Sequence, residues 1–221
     1  MRHLRDGRAA FPAMLAAIDD AQRESLLETY WVGHDVVGAR FRDRLVARAR
    51  SGVAVFVSYD GVGSLGLFRS SWTPLIRAGG HVRENGPVAP WRHRFRILRL
   101  PFRDHRKILT VDGEVAFCGG LNLALQWLPS ERGGGGWRDD VIEVRGPAAL
   151  ELRALASQPW AQHGSNQPVA AKPAAPFETS TPFHGASIWK PTWSSTIPAS
   201  LLTRRGPLKT ICETHRDWER P

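Results

Sequence analysis

Two apolar periodicities take turns along the first 160 residues, and their alternation restricts the chain to a layered α/β fold. Phe11, Met14, Leu15, Ile18 and Ala21 follow i, i+3, i+4, i+7 spacing, so residues 11–23 read as an amphipathic helix with Pro12 tolerated in its first turn. Residues 25–32 are dense in Leu26, Leu27, Tyr30, Trp31 and Val32 and read as a strand. Val37, Phe41, Leu45, Val46 and Ala49 form a second helical stripe, with Arg40, Arg42, Asp43, Arg44 and Arg48 opposite and Gly52 closing it. Residues 53–59 are almost continuously apolar, as a strand buried on both faces is. A shorter helix over 71–78 and a strand near 81–83 continue the series. Strands interleaved with helices at this spacing predict one α/β domain, a mixed sheet flanked by helices.

The remainder is different in kind. Residues 161–221 hold 8 of the 16 prolines and 13 Ser or Thr, a composition that breaks helices and competes with backbone pairing. Their aromatics, Phe177, Phe183, Trp189, Trp193 and Trp218, follow neither helical nor strand period. The expected organisation is a domain over 1–160 and an irregular, poorly ordered tail over 161–221.

Composition narrows the partners. Thirty Lys and Arg against 21 Asp and Glu leave a formal charge of +9, which favours an anionic partner: nucleic acid, an acidic membrane surface or a phosphorylated small molecule. No run of 18 uncharged apolar residues occurs, and Arg2, His3, Arg5 and Asp6 follow Met1 with no apolar region behind them. Neither a transmembrane helix nor a secretory signal is expected, which points to a cytoplasmic protein, soluble or peripheral to a membrane. Cys118 and Cys212 alone make neither a disulfide framework nor a zinc site.

The charge peaks between Trp91 and Lys107, where WRHRFRILRLPFRDHRK places six arginines and one lysine among apolar residues against the single acid Asp104. Arg92, Arg94, Arg96, Arg99 and Arg103 read as a lip for phosphate or membrane contact, since interleaved Phe and Leu can enter an interface while arginines hold phosphates. Next come His105 and Lys107. If 105–111 is a strand, the period of 2 turns both side chains to one face, expected at a sheet edge. A following strand over 115–118 ends in Gly119 and Gly120, whose backbone amides can approach a ligand closely. A cation, an imidazole, open amides and the Asn122 carboxamide then converge on one anion. Asp112 lies past the strand's end and reads as structural, shaping the turn before Gly113.

The stretch HRKILTVDGEVAFCGGLN resembles, without a gap, the HxKx4Dx6G(G/S)xN motif of the phospholipase D superfamily, with Gly120 where many members have Ser. Around it, YWVGHDVVGARFRDRLVARARSGVAVFVSYDGVGS and WRDDVIEVRGPAALEL resemble the first half of bacterial cardiolipin synthases, over roughly residues 4–160. The resemblance implies a phospholipase D-like single HKD domain and phosphatidyl transfer through a phosphohistidine, with no metal or other cofactor. His105 is then nucleophile or general acid, Lys107 and Asn122 hold the non-bridging oxygens, and Asp139 in WRDD orients the imidazole. The substrate class is an anionic phospholipid resembling phosphatidylglycerol. Such synthases carry two motifs, and no second HxK with a downstream Asp and glycine pair follows Asn122.

Three functions follow: a phosphatidyltransferase conditional on a second HKD motif, a nuclease or phosphodiesterase completed by homodimerisation, and an inactive truncated half of a synthase. Nucleic acid ranks below lipid as the anionic partner. Other features read more plainly. The Gly133 to Gly136 run is expected to be a flexible loop, the Gly61 and Gly63 pair a sharp turn, and Cys118 a packing residue.

Overall fold

The computed structural model describes residues 1–87 and 103–161. The elements in chain order are β1 (Arg2–Arg5), α1 (Asp6–Asp20), β2 (Glu24–Thr29), α2 (Val36–Arg50), β3 (Ala54–Asp60), α3 (Thr73–Arg77), β4 (His81–Asn85), β5 (Ile108–Val111), β6 (Val115–Gly119), β7 (Asp140–Arg145) and α4 (Pro147–Ala161). The seven strands make one mixed sheet in the order β1-β7-β6-β5-β2-β3-β4. Strands β2, β3 and β4 run parallel to one another, and every other pairing is antiparallel.

The pleat sorts side chains to two helix layers. Leu27, Val55, Val57, Leu109 and Phe117 face one core with Phe11, Met14 and Ile18 of α1 and Phe41 and Leu45 of α2. Alternate positions, Leu26, Phe56 and Ile108, face the opposite side and pack on Ala156 and Trp160 of α4. Both faces of the sheet are thus covered, which is why β2 and β3 carry near-continuous buried runs. The Asp35 side chain caps α2, accepting from the Val37 and Gly38 amides at 2.9 and 3.0 Å, and Gly52 (φ +91°) lets the chain leave it.

Several boundaries differ from the sequence reading. The first helix begins at Asp6, because the chain leaves β1 directly into it, and ends at Asp20. Strand β2 stops at Thr29, and Val32 makes only an isolated bridge with Leu123. Strand β5 begins at Ile108, so His105 and Lys107 precede it. Strand β1 was not legible at all: it has one buried residue, Leu4, and exists because β7 supplies its hydrogen-bonding partner. Apart from the end of α4, the Pro/Ser/Thr-rich segment lies outside the described residues, as do Arg92, Arg94, Arg96 and Arg99.

The α4 layer is pinned by an ion pair. Arg153 on α4 holds both carboxylate oxygens of Glu24 at the start of β2, its Nη2 at 2.8 Å from Oε2, with both residues buried. Removing one partner leaves an unpaired buried charge, so Arg153→Ala is expected to cost about 3–5 kcal/mol, while Arg153→Met combined with Glu24→Leu costs far less. Urea denaturation of the three proteins checks this.

Candidate active site

Antiparallel return brings six strand ends together: β2, β3, β4 and β6 finish, and β5 and β7 begin, at one end of the sheet. Here the segments following β2 and β6 meet those preceding β5 and β7. The site therefore lies at the ends of central strands rather than at a sheet edge, because β5 and β6 sit in the middle of the strand order.

One ring organises the two residues of the HxK pair. The exposed His105 imidazole stacks on the Tyr30 phenol ring, centroids 3.9 Å apart and planes 18° from parallel. The Lys107 ammonium lies 5.6 Å from the same ring's centroid and donates to the His105 carbonyl at 2.7 Å. His105 and Lys107 thus share a partner although no strand enforces it. Burial pushes the Lys107 pKa below its ordinary value, while the Asp139 and Asp104 carboxylates oppose that shift. Tyr30 counted only as a strand residue in the sequence. The one available signal was Gly63, where a Cβ would come within 2.3 Å of the Tyr30 carbonyl oxygen and 2.9 Å of its ring. The Asp60 carboxylate fixes that turn, accepting from the Val62 and Gly63 amides at 2.8 and 3.1 Å.

Asn122 is 6% exposed, and its Oδ1 accepts from the Trp31 amide at 3.1 Å. The two glycines have a different role from open amides. A Cβ on Gly119 would lie 2.1 Å from the Asp140 carbonyl oxygen, and one on Gly120 2.0 Å from the Asp139 carboxylate. The Gly120 amide itself donates to Asp140 at 3.1 Å, so it is not open to an anion. The glycines let the start of β7 press against the end of β6. The exposed Asp139 lies over Gly120, with Oδ1 accepting from the Asp140 amide at 2.8 Å; among the described residues no hydrogen bond joins it to His105.

Between the two site residues, Arg106 points to the α4 face. Its Nη2 bridges Glu28 Oε1 at 3.0 Å and Asp104 Oδ2 at 2.7 Å, and its Nη1 donates to Gln158 at 3.1 Å. Burial, then the Asp104 charge, raises the Glu28 pKa to about 8, against the opposing pull of Arg106. Burial works to raise Asp104 as well, but side-chain and backbone hydrogen bonds from Arg106 outweigh it and hold that carboxylate below its usual range. At neutral pH Glu28 is accordingly the protonated member.

Asp112 lies beyond the far end of β5, away from this site. At φ +55°, its carboxylate accepts from the amides of Gln22, Arg23 and Glu24 at 2.8 to 2.9 Å and so anchors the start of β2. Arg103 is turned inward: its side chain is 10% exposed, with Nη1 donating to the Gly86 carbonyl at 2.6 Å and 3.7 Å from Asp60, so it is not part of a surface lip. The glycine run is no loose loop either. The Gly134, Gly136 and Trp137 amides donate to Pro129, Leu128 and Gln126, folding it back on the preceding segment.

A comparison with protein-family models finds no match. The chain is 37% identical over 157 residues to the cardiolipin synthase of Alkalihalophilus pseudofirmus, and 36% identical over 157 residues to that of Geobacillus kaustophilus. Each alignment covers 71% of this chain and 31% of the synthase, so the chain spans less than a third of the length of these relatives. Among solved structures, the phospholipase D family member Nuc from Salmonella typhimurium matches with a TM-score of 0.52 at 17% identity, covering 73% of this chain and 93% of Nuc. The chain carries one HxKx4Dx6GGxN motif, is homologous to part of the bacterial cardiolipin synthases and shares the fold of the phospholipase D family member Nuc.

Two predictions follow from the geometry. Glu28 binds a proton in the folded state that it releases near pH 4.5 when unfolded; its contribution is therefore complete below pH 4.5 and lost as pH rises through about 8. Glu28→Gln keeps the bond that Oε1 accepts from Arg106 and stays neutral at every pH, so the variant's stability relative to wild type should rise from pH 5 to pH 8, with a slope of at most about 1.4 kcal/mol per pH unit. Urea midpoints at each pH read this out. Tyr30→Leu should raise the mobility of His105, seen as a loss of the ring-current shift on its imidazole protons in NMR spectra, without unfolding the sheet.

Proposed function

We propose that this chain is one catalytic half of a cardiolipin synthase-like phosphatidyltransferase, its catalytic domain spanning residues 1–160 with 161–221 as an appendage. The observation that carries the reading is His105 and Lys107 on one aromatic ring, at the strand ends that also carry Asn122, in a chain homologous to cardiolipin synthases. A phosphodiester resists attack because its oxygens are negative, so the site must neutralise charge, present a nucleophile and protonate a leaving oxygen. His105 attacks phosphorus: a P–N bond forms, a P–O bond breaks, and the leaving alkoxide takes a proton. Lys107 and the Asn122 Nδ2 group stabilise the non-bridging oxygens. An acceptor alcohol then attacks the phosphohistidine, gives up its proton and regenerates the imidazole. The substrate is an anionic phospholipid, met at a membrane surface from the cytoplasmic side by the arginines at 92, 94, 96 and 99. No helix among the described residues is long and apolar enough to cross a membrane.

In-line displacement puts nucleophile and leaving group on opposite sides of phosphorus, so His105 cannot also protonate the departing oxygen. The second imidazole comes from a second HKD motif, supplied by another copy of the chain. A phosphodiesterase using the same homodimeric site is the second reading, favoured by the same observation.

Phosphatidyl transfer and phosphodiester hydrolysis should both be assayed with chelator present, across a dilution series monitored by light scattering. Turnover is expected to rise as dimers form, because general acid help alone is worth roughly 10²–10⁴-fold, and His105→Ala should abolish it. Full activity from a demonstrated monomer, or survival of activity in His105→Ala, overturns the mechanism. Hydrolysis without transfer selects the phosphodiesterase.

A further inference from the structure

A groove separate from His105 opens between the first turns of α1 and α2 and the segment that follows β6, with a volume of about 340 Å³. That is within the range of roughly 300–1,000 Å³ typical of small-molecule sites. Phe11 and Phe41 form its floor, packed edge to face with centroids 5.7 Å apart. Val36, half exposed, lines it together with the partly exposed Leu125 and Leu128.

Three arginines, Arg8, Arg40 and Arg132, border these apolar walls. Arg8 is neutralised by Glu131 at 2.5 Å. Arg40 and Arg132 are exposed, and among the described residues neither has an ion-pair partner. Apolar walls beside two uncompensated guanidiniums complement an amphiphile that is greasy at one end and anionic at the other. A guanidinium suits a phosphate because its planar N–H donors match two phosphate oxygens at once.

The groove is also tied to the site. The Leu125 amide donates to Asp35 at 2.9 Å, and Leu123 exchanges backbone bonds with Trp31 and Gly33 at 3.0 and 2.9 Å. Only two residues separate Leu125 from Asn122. An occupant of the groove therefore lies on the same end of the sheet as His105.

We infer that this groove binds a membrane phospholipid with an anionic head, an acyl chain lying along Val36, Leu125 and Leu128 and its phosphate held by Arg40 and Arg132. The lipid held here is distinct from the one attacked at His105, and the site needs no turnover to exist. It fixes the domain on an anionic bilayer with its catalytic end toward the lipid.

The test uses the full chain and three soluble probes kept below micelle formation: dihexanoyl phosphatidylglycerol, dihexanoyl phosphatidylcholine and glycerol 1-phosphate, with affinity measured by calorimetry. The anionic lipid should bind more tightly than either other probe, since one lacks the net charge and the other the chains. Arg40→Glu with Arg132→Glu should weaken it by at least about tenfold, one lost charge-assisted contact being of that order, with little effect on the neutral lipid. Val36→Asp should weaken both lipids. It places an acid in the first turn of α2, where the helix dipole favours one, so folding is retained. His105→Ala should leave this binding intact, so inactivity of the chain as an enzyme does not bear on the result. Equal affinity for glycerol 1-phosphate and the anionic lipid, or lipid binding lost in His105→Ala but kept in the arginine variants, overturns the inference. So does light scattering showing that Val36→Asp splits a dimer, which makes the groove a subunit interface.

Discussion

Antiparallel pairing of β2 with β5, with Glu28 opposite Ile108, determines where the chemistry can lie. Continuing that register past both strand ends carries the residues after Thr29 alongside those before Ile108. Tyr30 thereby meets His105 and Lys107, while two residues earlier Glu28 meets Arg106. The switch from the parallel β2-β3-β4 half to the antiparallel β5-β6-β7-β1 half occurs at this pairing. That switch is also what gathers the ends of β6 and β7 at the same place.

The two faces of the segment 104–107 carry opposite duties. On one, imidazole and ammonium share a phenol ring in contact with solvent. On the other, Arg106 is engaged by Glu28, Asp104 and Gln158. A partly buried guanidinium with that many acceptors holds a segment that lacks strand hydrogen bonds in one conformation. Burial of Glu28, and then the Asp104 charge beside it, place a proton on Glu28 at neutral pH. Polar groups buried in this way cost free energy unless satisfied, and Glu28 Oε2 and the Thr110 hydroxyl are among those with no hydrogen-bond partner among the described residues.

Close backbone approach recurs around the site. Gly63 lets the turn after β3 press on Tyr30, and Gly119 and Gly120 let β7 press on the end of β6. None of these three glycines has a positive φ; what each supplies is the absence of a Cβ. The second copy inferred for the catalytic step and the lipid inferred for the groove would both meet this crowded, aromatic end of the domain, where Trp31, Trp127 and Trp137 contact one another.

Periodicity alone determined the helices α1 and α2, the buried runs of β2 and β3, and hence a helix-flanked sheet, because apolar spacing is a local property that burial must obey. The spacing of HxK, Asp112, the glycine pair and Asn122 likewise marked the segment that carries the site. Local pattern could not show that 105–107 falls outside β5, since Ile108 and Val111 extend the alternation without a break. It could not show Tyr30 as the ring beneath His105, Arg103 turned in toward Asp60, or the Gly120 amide already engaged. Those outcomes depend on which strand ends meet, and strand order is set by burial and pairing between segments about 80 to 90 residues apart, a distance over which sequence spacing carries no geometric information.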